Sequence, residues 1–197
     1  MGVIKSLEKT SLKLELMEIN PQKLSFCGFP IDAGKTLCEL SGWSVSNLQL
    51  QKLLYIANMY HRAEEGSNLI NERFEASPLG PVEPKLYRYA EGFGNNPVRN
   101  IFFMKKGAKE GSSEYEYLKE VIDAAGQKSN AELVSFTQWK NGAWYARRYG
   151  KKDKSPSSLT KLRSRLDPEE DENLISDDLI LAEYRARRKR EFPQQNK

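Results

Sequence analysis

The stretch from Leu48 to Glu64 constrains this chain more than any other. Leu50, Leu53, Leu54, Ala57 and Tyr60 mark one helical face, while Leu48, Tyr55, Ile56 and Met59 populate much of the rest. A surface helix needs one apolar stripe, whereas a helix apolar nearly all round must be enclosed by other elements. Its ends are also marked: Ser46 followed three positions later by Gln49 is the pattern of a capping box, and Gly66 supplies a left-handed stop. These features predict a compact, mainly α, single-domain helical bundle built around one central buried helix.

The rest of the chain reads as what wraps that helix. A short helix is expected from Ile31 to Leu40, with Asp32 as N-cap and Leu37 and Leu40 facing inward. Asn68 to Ala76 reads as extended, and Pro78, Gly80, Pro81 and Pro84 form a rigid turn that no helix contains, so at most a short β-hairpin or extended segments belong here. Pro84 suits a first helical turn, with Leu86, Tyr87 and Ala90 inward and a stop at Gly92 or Gly94. Beyond the apolar run Ile101-Phe102-Phe103-Met104, Ser113 and Glu116 offer a capping box for a helix whose buried stripe is Leu118, Val121, Ile122 and Ala125. Asn130 is expected to cap the next helix, a short one follows Asn141-Gly142 through Trp144 to Tyr149, and Ser176 caps a last helix through Leu179, Ile180 and Tyr184. The expected organisation is an N-terminal extension (1–28), a helical domain (29–184) and a basic C-terminal tail (185–197).

Composition narrows the chemistry. With 197 residues, 39% hydrophobic and 29% charged, the chain suits one folded core, and its net charge of +4 is too modest to select a partner class. No eighteen apolar residues run together and Met1 to Asn20 lacks the apolar centre of a signal peptide, so a cytoplasmic protein without membrane spans is expected, with Cys27 and Cys38 reduced. Those cysteines lack metal-type spacing, the acidic run Asp167 to Glu172 lacks the glycine-centred spacing of a calcium loop, and Gly34-Lys35-Thr36 lacks the earlier glycine of a phosphate loop, so neither metal nor cofactor is expected. The one histidine, His61, sits mid-helix and reads as structural; without a nucleophile, base and acid in any motif, the chain does not read as an enzyme. From Arg185 to Arg190 five of six residues are cations, a pattern that serves either a helix dipole or phosphate contacts.

Taken in order, the segment Leu48 to Ala57, then Phe74-Glu75-Ala76, Gly80-Pro81-Val82 and Leu86-Tyr87, resembles the signature of the Panacea domain, the SocA-like, phage-associated antitoxin family. Leu133 to Trp144 resembles a further block of that family, with Thr137 and Trp144 matching, Gln138 where histidine is common, and Ser77 where an aromatic is usual. Ile175 to Tyr184 is similar to the family's closing helix. Within the signature, Leu50, Lys52, Leu53, Leu54 and Tyr55 on the helix, Glu75, Ala76, Gly80, Pro81, Val82 and Tyr87 after it, and Thr137 and Trp144 beyond are expected to make the fold or face a partner, with Lys52 and Glu75 a candidate pair.

The resemblance implies an antitoxin that neutralises a cognate toxin encoded next door by direct protein binding and, in the SocA type, hands that toxin to a bacterial protease. Binding needs exposed anchors, and Phe102, Phe103, Met104, Trp139 and Tyr145 are the candidates for a partner surface. The alternative reading is a DNA-binding regulatory or phage-associated protein that contacts nucleic acid through Arg187, Arg188, Lys189 and Arg190.

Overall fold

The structure, a computed structural model, describes residues 29–150, 159–161 and 173–191. In chain order come helix α1 (Pro30–Leu40), helix α2 (Asn47–Glu65), strands β1 (Phe74–Ser77) and β2 (Gly80–Val82), and helix α3 (Pro84–Ala90) running into a 3-10 turn at Glu91–Phe93. Then follow α4 (Ser113–Ala125), α5 (Asn130–Thr137), α6 (Ala143–Tyr149), β3 (Leu174–Ile175) and α7 (Asp177–Glu191). The fold is mainly α, as the periodicity predicts, with one small antiparallel sheet in the order β2-β1-β3. Glu75 pairs with Val82 on one side of β1 and with Leu174 on the other.

α2 begins and ends where its local signals say. Ser46 Oγ accepts from Gln49 N while Gln49 Oε1 accepts from Ser46 N, and Gly66 closes the helix at φ 76° with its N–H on the Arg62 carbonyl. Leu50, Leu53, Leu54, Tyr55 and Met59 are fully buried, because α1, α4, α5, α7 and β2 all pack around this helix. Burying a side chain of this size stabilises by about 1.5–3 kcal/mol relative to leaving it in water, so the central position of α2 is the main apolar driving force of the fold.

Several local expectations are corrected. Asp32 does not cap α1: Phe29 occupies the N-cap with no side-chain bond, Pro30 opens the helix, and the Asp32 carboxylate instead accepts from the Lys106 and Gly107 amides. α4 is capped by Ser112, whose Oγ accepts from Tyr115 N, so the box expected from Ser113 and Glu116 does not form. Ser129 with Glu132, and not Asn130, makes the capping box of α5. Tyr87 is 45% exposed although Leu86 and Ala90 beside it are fully buried, because the seven-residue α3 presents only a narrow line to the core.

The rigid turn contains a strand as well, with Pro81 on β2, the sheet edge, where a missing N–H is tolerated. β3 was not foreseen, since two residues carry no periodicity. Ser176 does cap α7, its Oγ accepting from Leu179 N, and the helix continues through the first part of the basic segment to Glu191. The N-terminal extension with Cys27, the loop Lys151 to Ser158 and the acidic run Asp167 to Glu172 lie outside the described residues.

Gly34 reports on how tightly α1 sits against α3. Alanine inside a helix ordinarily improves on glycine by about 1 kcal/mol. Here a Cβ would stand 2.5 Å from Leu86 Cδ1, on a side chain that is itself fully buried. Gly34→Ala is therefore expected to destabilise the protein by about 1–3 kcal/mol through overpacking. Urea unfolding measures this, and a stabilised variant would contradict the close contact.

Candidate protein-binding surface

Four buried polar side chains of α2, those of Asn47, Gln51, Lys52 and Asn58, bind backbone. Asn47 Nδ2 donates to the Tyr87 carbonyl at 3.1 Å, and Gln51 Oε1 accepts from Glu83 N at 2.8 Å. Lys52 Nζ donates to the Pro81 carbonyl at 2.9 Å, and Asn58 Oδ1 accepts from Leu69 N at 2.9 Å. These partners lie in irregular segments or at element ends, where backbone groups removed from water have no ladder of their own. Glu83, held by Gln51, in turn caps α3 by accepting from Lys85 N and Leu86 N. Burial is the chief cause that raises the Glu83 carboxyl above the usual carboxylate range.

His61, fully buried, places Nδ1 2.8 Å from the Ser67 carbonyl and sets its ring edge-on to Tyr117, with centroids 5.1 Å apart. Its Nε2 is buried and makes no hydrogen bond among the described residues. The ring occupies a packing position.

The family-like residues converge on the β1–β2 hairpin. Lys52 does not meet Glu75: the residue is 1% exposed with its amine on the Pro81 carbonyl, and burial pulls its pKa down to about 7. Gly80, at φ 107°, lets the chain pass; a Cβ there would sit 3.0 Å from both Lys52 Nζ and Thr137 Oγ1. Thr137 turns its hydroxyl to the Leu133 carbonyl. From the other side Arg148 Nη1 donates to the Ala76 carbonyl at 2.8 Å, Trp144 Nε1 to Ser77 at 2.7 Å, and Gln138 Nε2 to Pro78 at 2.9 Å. Three successive carbonyls are thus each held by a different side chain, and Leu79 is left at the tip, 57% exposed.

A second knot closes the core at α7. Glu183 is fully buried; its Oε2 accepts from Tyr55 OH at 2.7 Å and from Ala143 N at 2.9 Å, while its Oε1 accepts from the Arg187 guanidinium at 2.6 Å. Burial first, and then the Glu183 charge, hold the Tyr55 hydroxyl well above its ordinary pKa. Arg187 also donates to the Phe136 carbonyl and lies over the Phe136 ring at 3.9 Å and the Trp139 ring at 4.7 Å. Of the basic run, Arg187 is thereby committed to the fold and Arg188 donates to Tyr184 OH, while Lys189 and Arg190 are exposed. Sequence reasoning missed Glu183, although its spacing four residues before Arg187 is that of a helical ion pair.

The expected exposed anchors divide. Phe102 is 2% exposed, tilted against Trp43 and Tyr89, and so is a core residue. Trp139 and Tyr145 are half-buried, the first under Arg187 and the second beside Tyr149. Phe103 and Met104 stand out at 84% and 100% exposed. Among the described residues no three His, Cys, Asp or Glu side chains group as a metal site, and no helix is long and apolar enough to cross a membrane. Cys38 is buried and its thiol is pushed up to about 12, chiefly by that burial.

Residues 50–145 match the family model described as Antitoxin SocA-like, Panacea domain. Over that stretch the chain is similar to a Panacea domain. It is similar to Antitoxin SocA of Caulobacter vibrioides (strain NA1000 / CB15N), with 32% identity over 110 residues. That alignment covers 51% of this chain and 58% of the relative, so the chain spans little more than half of the relative's length. No solved structure matches. The matched stretch contains the α2 seam, the hairpin and the Phe103–Met104 tip, whereas Asp32, Glu183 and Arg187, which complete their contacts, lie outside it.

The buried lysine makes stability depend on pH. Unfolded lysine titrates near 10.5 and Lys52 in the fold near 7, so between those values the unfolded chain binds more protons and stability rises with pH. Above about pH 9 the Cys38 thiol, raised from 9.0 in the fold, contributes the opposite slope. Wild-type protein is expected to be more stable at pH 9 than at pH 7 by chemical denaturation, and Lys52→Met to lose most of that difference; an unchanged slope would show that the amine is not the titrating group. Tyr55→Phe, which strips the buried Glu183 carboxylate of a donor, is expected to cost about 1–3 kcal/mol in the same assay.

Proposed function

We propose that this protein is an antitoxin that neutralises a partner toxin by direct, non-covalent protein binding. The observation that carries the reading is the Panacea-domain match over residues 50–145, together with the similarity to a protein named Antitoxin SocA. The geometry agrees with a binding role. The buried ionisable groups Lys52, Glu83 and Glu183 are each held by a fold contact. Inhibition then works by occlusion, and handing the bound toxin to a protease is its finer form.

The test is co-expression with the product of the adjacent reading frame in a bacterial growth assay, followed by pull-down of the pair. The neighbour alone is expected to arrest growth, and this chain to restore growth and retain the neighbour. Toxin levels that fall only when this chain and an intact protease are both present mark the adaptor form. A harmless neighbour that is not retained overturns the antitoxin reading. Salt-dependent DNA binding lost in Lys189→Glu/Arg190→Glu would then favour the regulator.

A further inference from the structure

A fully exposed Met104 beside an 84% exposed Phe103 is unusual for a loop so firmly built. Isolated apolar side chains on a surface need no explanation, but adjacent large ones at the apex of a fixed loop form a patch. Met104 also adopts φ 59°, the left-handed region that unbranched side chains other than Asn and Asp seldom enter. The sequence gains nothing for stability by placing methionine there.

The loop is held from both flanks. On its far side Asp32 Oδ1 accepts from Lys106 N at 2.9 Å and from Gly107 N at 3.1 Å, and Thr36 Oγ1 accepts from Ala108 N at 2.7 Å. On that side Lys35 Nζ also donates to the Lys105 carbonyl at 2.8 Å, and on the near side Tyr89 OH donates to the Ile101 carbonyl at 2.9 Å. Phe102, buried between Trp43 and Tyr89, anchors the apex from beneath. An apolar tip fixed in this way loses little further conformational freedom when a partner covers it.

Charge indicates what covers it. Arg99, Lys106 and Lys109 are exposed and Lys105 is half-buried around the tip, against Glu110 alone on the same loop. Of the nearby carboxylates, Asp32 is occupied by backbone amides and Glu39, beside Gly107, is paired with Lys35 at 3.5 Å. A cationic collar round an apolar pair fits a surface with an apolar hollow and a carboxylate rim.

We propose that the Phe103–Met104 tip is the anchor with which this protein enters an apolar pocket rimmed by Asp and Glu side chains on its toxin. The proposal rests on the antitoxin reading. Phenylalanine fills the pocket, methionine adapts to its wall, and the collar steers the encounter and fixes its direction.

The test is calorimetry and association kinetics with purified full-length chain and the adjacent gene's product. Phe103→Ser/Met104→Ser is expected to weaken affinity about 100-fold with an unchanged melting temperature, since both positions are exposed. Lys105→Glu/Lys106→Glu is expected to slow association about tenfold, with the effect fading at high salt. Met104→Gly relaxes the left-handed backbone, so it is expected to weaken binding while the melting temperature stays level or rises. Leu79→Ser, at the other exposed apolar tip, is expected to leave affinity within about twofold. Wild-type binding that persists in the Phe103→Ser/Met104→Ser variant overturns the proposal and leaves the antitoxin reading standing. So does binding lost only in Leu79→Ser, or a tip that proves necessary only for flotation with anionic phospholipid vesicles. If wild-type chain does not bind the adjacent product at all, the antitoxin reading falls and this proposal with it.

Discussion

The amine of Lys52 on the carbonyl of Pro81 is the contact on which the most structure depends. β2 has three residues, includes a proline and lies at a sheet edge, so its ladder to β1 is short and one-sided. A lysine stem threaded through the core reaches it from the central helix, at the cost of removing a cation from water. The cost is limited because burial displaces the lysine toward its neutral form, which still donates. Once β2 is fixed, Gln51 can reach Glu83, Glu83 can cap α3, and α3 can set Leu86 against α1.

This arrangement separates two tasks within α2. Its leucines supply the non-directional part of the stability, which would tolerate several packings of the surrounding helices. Its buried polar groups supply direction, since each finds its partner in only one arrangement of the hairpin, the turn after Gly66 and α7. An unmade hydrogen bond in the interior costs more than a made one gains, so such groups select one arrangement against near alternatives.

What was legible in the sequence follows from range. α2 could be placed closely because its cap, its apolar periodicity and its glycine stop are local features, and the mainly α class followed from them. The neighbouring caps slipped by one residue because Ser112-Ser113 and Ser129-Asn130 each offer two competent capping side chains, and only the packed register chooses. Asp32 resembled a cap until a loop more than seventy residues away claimed its carboxylate. Lys52 suggested an acidic partner, because sequence displays charged side chains and hides backbone carbonyls. Tyr55 and Glu183 are 128 residues apart, beyond any periodicity. For the surface, the loop buries Phe102 and exposes both Phe103 and Met104, and an apolar run alone does not say which of its residues turns inward.

The place of Glu183 in the chain also gives the fold an order in time. Tyr55 OH and the first amide of α6 both depend on a carboxylate carried by α7, the last element described. During synthesis the central helix, the hairpin and α4 to α6 emerge first, and until α7 docks the Tyr55 hydroxyl and the Ala143 amide have water as their partner. Until residues 177–191 arrive, this face of the core is open to water and to proteases. The docking of that single helix is therefore what closes this side of the core.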